Sequence, residues 1–174
     1  AVITGGAKGI GRETAIQFAR AGAQVTVLDW DKTAAYETTM ELNGHFNRNA
    51  AISVHGDASD EDIVVAALEK ACETFGHVDT LVANAGVLWK DRDNSVIEID
   101  AQDWDRILAV NLKAPFLLTK HGIPKLMKAG GGSIVLIGGI SAVAGSVTGQ
   151  DALAAAKSAL GGLCKSIAVQ FGPE

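Results

Sequence analysis

The chain opens on an apolar run, Ala1-Val2-Ile3, that breaks at once into Thr4-Gly5-Gly6-Ala7-Lys8-Gly9-Ile10-Gly11. No other segment restricts the fold so tightly. So short and apolar a strand suits burial on both faces. Glycines at 5, 9 and 11 let the backbone turn sharply, approach a ligand closely and start a helix packed hard against the strand. That helix start presents unpaired N–H groups and the positive end of its dipole, which suits a nucleotide pyrophosphate. Glycine-rich turns also occur in ordinary loops. Asp29 gives this one its weight, because it closes the next apolar run, Val25-Thr26-Val27-Leu28. It falls about 20 residues on, where a dinucleotide fold places an acceptor for the adenosine ribose hydroxyls.

Short apolar runs and amphipathic stretches then alternate. Strands are predicted near 1–4, 24–29, 51–55, 79–83 and 133–138, and helices near 10–21, 32–43, 60–75, 103–128 and 151–171. The third helix is the clearest. Ile63, Val64, Ala67, Leu68, Ala71, Cys72 and Phe75 recur at intervals of three and four, and Ser59 or Asp60 can cap its start. Alternation of this kind gives an α/β fold, a Rossmann-like doubly wound parallel sheet covered on both faces. Right-handed crossovers set the strand order 3-2-1-4-5, with a ligand crevice at the carboxyl ends of strands 1 and 4. The expectation is a single dinucleotide-binding domain over residues 1–174, cut short at both ends, with the last strands missing.

Composition narrows the partners. A formal net charge of -5, with acids and bases interspersed, argues against a nucleic-acid surface. Cys72 and Cys164 sit in apolar helical patterns and read as reduced core thiols of a cytoplasmic protein. His45, His55, His77 and His121 are dispersed without ligand spacing, so no metal site is expected. Residues 129–150 carry no charge and are long enough to span a membrane, but their glycines and hydroxyls fit a strand followed by a loop. No membrane partner is expected.

Further residues converge on the crevice. Asp57-Ala58 follows strand 3, where a carboxylate and a backbone group suit an adenine edge; an ordinary capping loop is the alternative. Asn84-Ala85-Gly86 follows strand 4, where small residues let a flat cofactor lie against the backbone, although a plain turn has the same composition. Asn111 lies in a helix four residues before Pro115, which has no N–H to give the Asn111 carbonyl. Such a helix is kinked and leaves an acceptor for water. Trp30 flanks the adenine or is simply a partly exposed loop residue, and Trp89-Lys90 lines a substrate mouth or packs on the surface. Lys8 suits a 2′-phosphate, but Asp29 repels one, so NAD is preferred over NADP.

Taken together, Thr4-Gly5-x-x-x-Gly9-x-Gly11, Asp57, Asn84-Ala85-Gly86, Asn111 and Lys157 resemble the classical short-chain dehydrogenase/reductase family, in its order and spacing. The resemblance covers essentially the whole chain. It implies hydride transfer between a nicotinamide and a secondary alcohol or ketone, and a homodimer or homotetramer built through the helices around Trp104–Lys128 and Asp151–Phe171. It also implies sixth and seventh strands and a substrate loop beyond this sequence. The family's chemistry uses an Asn, Ser, Tyr and Lys tetrad. The tyrosine moves the proton, the serine aligns the substrate oxygen, the lysine acidifies the phenol and holds the nicotinamide ribose, and the asparagine carbonyl anchors a water.

The chain departs from that pattern at two places. Leu153-Ala154-Ala155-Ala156-Lys157 puts leucine at the tyrosine position, and Ile137-Gly138-Gly139-Ile140-Ser141 puts Gly139 at the serine position, with Ser141 the out-of-register alternative. Asn111 and Lys157 are retained. Tyr36, the one tyrosine, sits on the second helix at the wrong end of the cofactor. Leu153 also belongs to an apolar stripe with Ala156, Leu160, Leu163, Ile167 and Phe171, and pattern alone reads it as core. Two readings stay open: an NAD-dependent oxidoreductase with impaired turnover, and a catalytically silent NAD-binding or assembly protein of the same fold.

Overall fold

The computed structural model describes residues 1–46 and 49–173. Five strands form one parallel sheet: β1 (Val2–Thr4), β2 (Val25–Asp29), β3 (Ala51–His55), β4 (Thr80–Ala83) and β5 (Ser133–Leu136), in the order β3-β2-β1-β4-β5. Ile3 pairs with Val27 on one side and Val82 on the other, so β1 is central. The predicted order and all five strands are present; β5 ends at Leu136, two residues short of the reading.

Alternation along the strands builds two cores. Ile3, Val25, Val27 and Val82 face α1 (Gly9–Arg20) and α2 (Lys32–Phe46), meeting Ala15, Ala19 and Leu42. Val2, Leu28 and Leu81 face the opposite way, toward α3 (Glu61–Phe75) and α5 (Ala114–Lys128), meeting Val64, Leu68, Leu117 and Leu118. Strands buried on both faces are mostly apolar, which is why β1, β2 and β4 read as near-continuous hydrophobic runs interrupted only by threonines and the terminal Asp29. Burying each of these valine, leucine and isoleucine side chains contributes about 1.5–3 kcal/mol before chain entropy is counted.

The single helix predicted at 103–128 is divided. α4 (Ala101–Leu108) begins on Asp100, whose carboxylate accepts the Gln102 amide at 2.8 Å. A π-helical turn covers Ala109–Lys113, with the Ala114 amide donating five residues back to Ala109, and α5 follows. The widened turn ends just before Pro115, which has no N–H of its own to donate. A short α6 (Ser141–Ala144) and the long α7 (Asp151–Phe171) complete the chain.

α7 buries Ala152, Ala156 and Leu160; the rest of its stripe is half-buried at Leu153, Leu163 and Ile167 and exposed at Phe171. By length and composition alone, α7 is apolar enough to cross a membrane, whereas residues 129–150 form a strand, loop and short helix. The cysteine reading needs correction: Cys72 is half-buried but Cys164 is exposed. The apolar periodicity of α7 runs past the part of the helix that α4, the π-turn and α6 cover.

Candidate functional site

The central strand ends are laced together by side chains. Thr4 Oγ1 accepts the amides of Asn84 and Ala85, both at 3.1 Å. Asn84 Nδ2 donates to the carbonyls of Thr4 at 3.1 Å and Gly5 at 2.8 Å. The loops after β1 and β4 therefore form one continuous floor. Gly5 has φ +62°, and a Cβ there would sit 2.8 Å from the Ala85 Cα. A Cβ on Gly11 would overlap the Gly5 carbonyl oxygen and the Asn84 amide. Only glycine permits both approaches.

Above this floor lies a cleft of about 340 Å³ at the carboxyl ends of the strands. The loop after β1 contributes Gly5, Lys8, Gly9 and Ile10; the loop after β2 contributes Asp29 and Trp30. Asp57 and Ala58 follow β3, and Asn84, Ala85 and Gly86 follow β4, with Val87 and Val110 closing the wall. Sequence reasoning assigned all of these except Val87 and Val110 to a nucleotide. Gly11 lies beneath the cleft as a packing residue, and Lys157 lies beyond its rim. A second, more apolar groove of about 230 Å³ runs along β5 between α5 and α7, away from the glycine turn.

The helix starts differ in a telling way. α3 begins on Asp60, whose carboxylate accepts the Asp62 amide at 3.0 Å, and α4 begins on Asp100. Lys8, at the start of α1, supplies no side-chain cap. The first amides of α1 are thus left without a side-chain cap at the cleft.

Asp29 is buried, and its two oxygens accept the amides of Ala7 at 3.0 Å and Asp31 at 2.9 Å. A carboxylate has about four acceptor sites, so capacity remains toward the cleft. The Lys8 ammonium donates to Asp31 Oδ2 at 2.6 Å, an exposed pair that raises the lysine above its ordinary value. Hydrogen bonds from the Ala34 amide and Lys8 hold Asp31 below its own. Trp30 is 52 % exposed beside them.

Asp57 Oδ1 accepts both the amide and hydroxyl of Ser59 at 2.8 Å, while Oδ2 pairs with the Arg106 guanidinium. Burial works against its charge, but the Ser59 amide and Arg106 outweigh burial and hold the carboxyl below its usual value. Ser59 is thereby occupied, and Asp60 alone caps α3.

At the other end, Asn111 is fully buried. Its Nδ2 donates to the carbonyls of Val87 at 3.1 Å and Ile107 at 3.0 Å, and its Oδ1 accepts the Val87 amide at 3.2 Å. The side chain is spent on fixing the loop after β4. Lys157 Nζ donates to the Ile137 carbonyl at 2.9 Å, and burial pulls its ammonium below lysine's ordinary value. A Cβ on Gly86 would lie 2.9 Å from Asn111 Oδ1 and 3.5 Å from Lys157 Nζ, so Gly86, Asn111 and Lys157 converge on one point.

Gly139 joins this group. A Cβ there would make ordinary contacts with Ser141 Oγ at 3.6 Å and Lys157 Cγ at 3.7 Å. The position accepts a side chain without strain and sits directly on the lysine. Leu153 is half-buried one turn before Lys157 on α7. Tyr36 lies exposed on α2, remote in sequence and element from this group. Trp89 is half-buried under the Arg92 guanidinium, 4.7 Å from its ring centroid, and Arg92 pairs with Asp103.

Beside Val87 and Val110, a residue outside the cleft also escaped the sequence reading. Asp93, 1 % exposed, accepts the Ala152 amide at 3.1 Å and the Leu153 amide at 3.0 Å, capping α7 from a loop about 60 residues away in sequence. The available signal was α7's own start: Gly149-Gln150 offers no short oxygen-bearing side chain at the N-cap, so an acceptor from elsewhere was required.

The short chain dehydrogenase family matches residues 1–174. The chain is 35% identical over 170 residues to an uncharacterized oxidoreductase of Thermotoga maritima, covering 98% of this chain and 64% of that one. It is 36% identical over 177 residues to a trans-4-hydroxycyclohexanecarboxylate dehydrogenase of Sinomonas cyclohexanicum, covering 99% and 66%. The crystal structure of a 3-ketoacyl-ACP reductase from Sinorhizobium meliloti 1021 superimposes with a TM-score of 0.91 at 32% identity, covering 99% of this chain and 66% of that one. The chain thus spans about two thirds of the length of these relatives.

Proposed function

We propose a function from one premise: the chain belongs to the short chain dehydrogenase family. Its members act on small molecules with NAD(P), and the relatives matched here are dehydrogenases and reductases. The reading that fits this chain best is an NAD-binding oxidoreductase of secondary alcohols or ketones whose proton-transfer end is depleted.

The observation that carries the reading is the contrast between a fully furnished cleft and the bare pair Gly139 and Leu153. The glycine cradle and the uncapped start of α1 fit a pyrophosphate. Asp29 would accept the adenosine ribose hydroxyls, Asp57 and Ala58 would border the adenine, and Gly86 and Lys157 would border the nicotinamide ribose. Asp29 and Asp31 oppose a 2′-phosphate, and Lys8 is already engaged by Asp31, so NAD is favoured over NADP. A bound nicotinamide supplies or accepts the hydride. The substrate oxygen must then gain or lose a proton. Leucine has no hydroxyl to serve, Gly139 has none to align the oxygen, and Ser141 Oγ is the hydroxyl that borders the Gly139 position. That leaves the Lys157 ammonium, tethered to the Ile137 carbonyl, and water as the proton carriers. Loss of a positioned acid or base costs about 10²–10⁴ in rate.

The same two residues favour a second reading, a catalytically silent NAD-binding protein. Assembly is proposed to be a homodimer or homotetramer, with the exposed small residues Ala155, Ala159, Gly161 and Gly162 of α7 in the contact; light scattering of the full-length protein reads this directly. Nicotinamide fluorescence titration tests the cofactor. NADH should bind more tightly than NADPH, and the reverse order would overturn the role given to Asp29. Measurable turnover of a ketone panel by the unmodified protein selects the oxidoreductase; none selects the silent protein.

A further inference from the structure

We propose that Asp93 is a positioning residue: it sets the backbone at position 153 relative to Lys157 by clamping the loop after β4 to the start of α7. The proposal rests on the reading above only in taking position 153 as the proton-transfer position.

The clamp is built from both sides. Asp93 receives the Ala152 and Leu153 amides, one on each oxygen, at 3.1 and 3.0 Å. In return, Asp151 Oδ2 accepts the Val96 amide at 2.7 Å, so each segment's carboxylate holds the other segment's backbone. The two backbones are pressed together at Gly149, where a Cβ would lie 2.9 Å from the Asn94 carbonyl carbon and 3.0 Å from the Ser95 nitrogen. Gln150 adopts φ +80°, the one non-glycine residue with positive φ among those described. A side chain held in that region is strained and persists only where its surroundings enforce it.

Ordinary helix capping does not require this arrangement. A surface carboxylate next to α7 would satisfy the same amides, as Asp60 and Asp100 do for α3 and α4. Asp93 is instead almost fully buried, and it bonds the very amide of residue 153. Its charge is met by backbone N–H groups and the positive end of the α7 dipole. The nearby Arg92 is taken by Asp103, so no side-chain cation competes for Asp93 in the contacts seen. One turn further along the same helix, Lys157 is anchored to Ile137. Fixing the first amides of α7 therefore fixes the rise and rotation of position 153 against a lysine already tethered at its other end.

The test needs no turnover. Tyr36 is the only native tyrosine and is exposed, so Leu153→Tyr adds one phenol whose ionisation can be followed by phenolate absorbance. Beside the Lys157 ammonium, the new phenol should titrate below Tyr36 by about one unit or more. Asp93→Ala in that background should raise the midpoint back toward that of Tyr36. Asp93→Asn keeps one carbonyl acceptor and should give a smaller rise. The sign is diagnostic, because removing a carboxylate from beside a phenol would by itself lower the midpoint. Unchanged NADH affinity and a cooperative melt separate lost alignment from lost fold, and Asp93→Asn carries the test if Asp93→Ala does not fold. An unchanged or lowered midpoint, or a phenol at 153 that titrates like Tyr36 from the outset, overturns the proposal. A raised midpoint without ketone turnover in the Leu153→Tyr protein supports the clamp and counts against the functional reading instead.

Discussion

The starts of α1 and α7 pose the same physical problem and receive opposite solutions. Each helix points its first amides into the region where the sheet's strands end. At α1 no side chain caps them, glycines keep the approach open, and Asp29 and Asp31 stand to one side. At α7 a buried carboxylate from a distant loop fills the same role that a ligand would fill at α1. On the proposed reading, one end is open to an anion and the other is closed to hold a side-chain position still. The difference teaches that a helix start can be closed by a distant buried carboxylate even where the neighbouring Leu153 and Gly139 carry no acid, base or hydroxyl.

The largest expected effect lies at that closed end. In full-length protein, Leu153→Tyr together with Gly139→Ser should raise ketone reduction by about 10²–10⁴, read as NADH consumption. Leu153→Tyr alone should recover part of it. The two gains should be non-additive, because both act on one substrate oxygen. The room found at Gly139, with ordinary contacts to Ser141 and Lys157, is the reason a serine there should fit. An unmodified protein as fast as the double variant would mean that the proton passes elsewhere.

The open end should fail differently. Gly11→Ala forces a methyl into the Gly5 carbonyl and the Asn84 amide. Overpacking of that kind costs about 1–3 kcal/mol, so the melting temperature should drop and NADH affinity should fall with it. Full NADH affinity in a stable Gly11→Ala protein would show that the turn can shift without harm.

A smaller, pH-dependent effect belongs to the Asp57, Ser59 and Arg106 cluster on the far wall of the open end. Its folded carboxyl lies below the ordinary value. The stability it contributes is therefore fully present above the unfolded value of about 3.9. It is lost as pH falls below that toward the folded pKa. Asp57→Asn should flatten this acid-side loss while leaving the slope near neutrality unchanged, as followed by urea unfolding across pH. An identical acid slope in both proteins would remove Asp57 from the account.

The open end was the more legible of the two because its information is local. Gly5, Gly9, Gly11 and Asp29 fall within one βαβ unit, and right-handed crossovers between the alternating strands and helices set the strand order. Pro115 signalled an irregular helix, but whether the chain kinks or widens into a π-turn at Ala109–Lys113 depends on what packs around Asn111. Asn111 itself was read through its carbonyl, whereas its side chain is what ties α4 and the π-turn to Val87. Asp93 was invisible for a related reason: its partners lie about 60 residues away, and no periodicity connects a loop carboxylate with a helix start. Cys164 misled because apolar spacing reports the face a helix offers, not how far its neighbour extends.

The central claim is that cofactor binding survives at one end independently of what residues 139 and 153 can do at the other. The direct measurement is a pair of NADH titrations by nicotinamide fluorescence, one on the unmodified full-length protein and one on the Leu153→Tyr/Gly139→Ser form. The account predicts saturable binding with the same affinity in both. Binding that appears only after the two side chains are restored would contradict it.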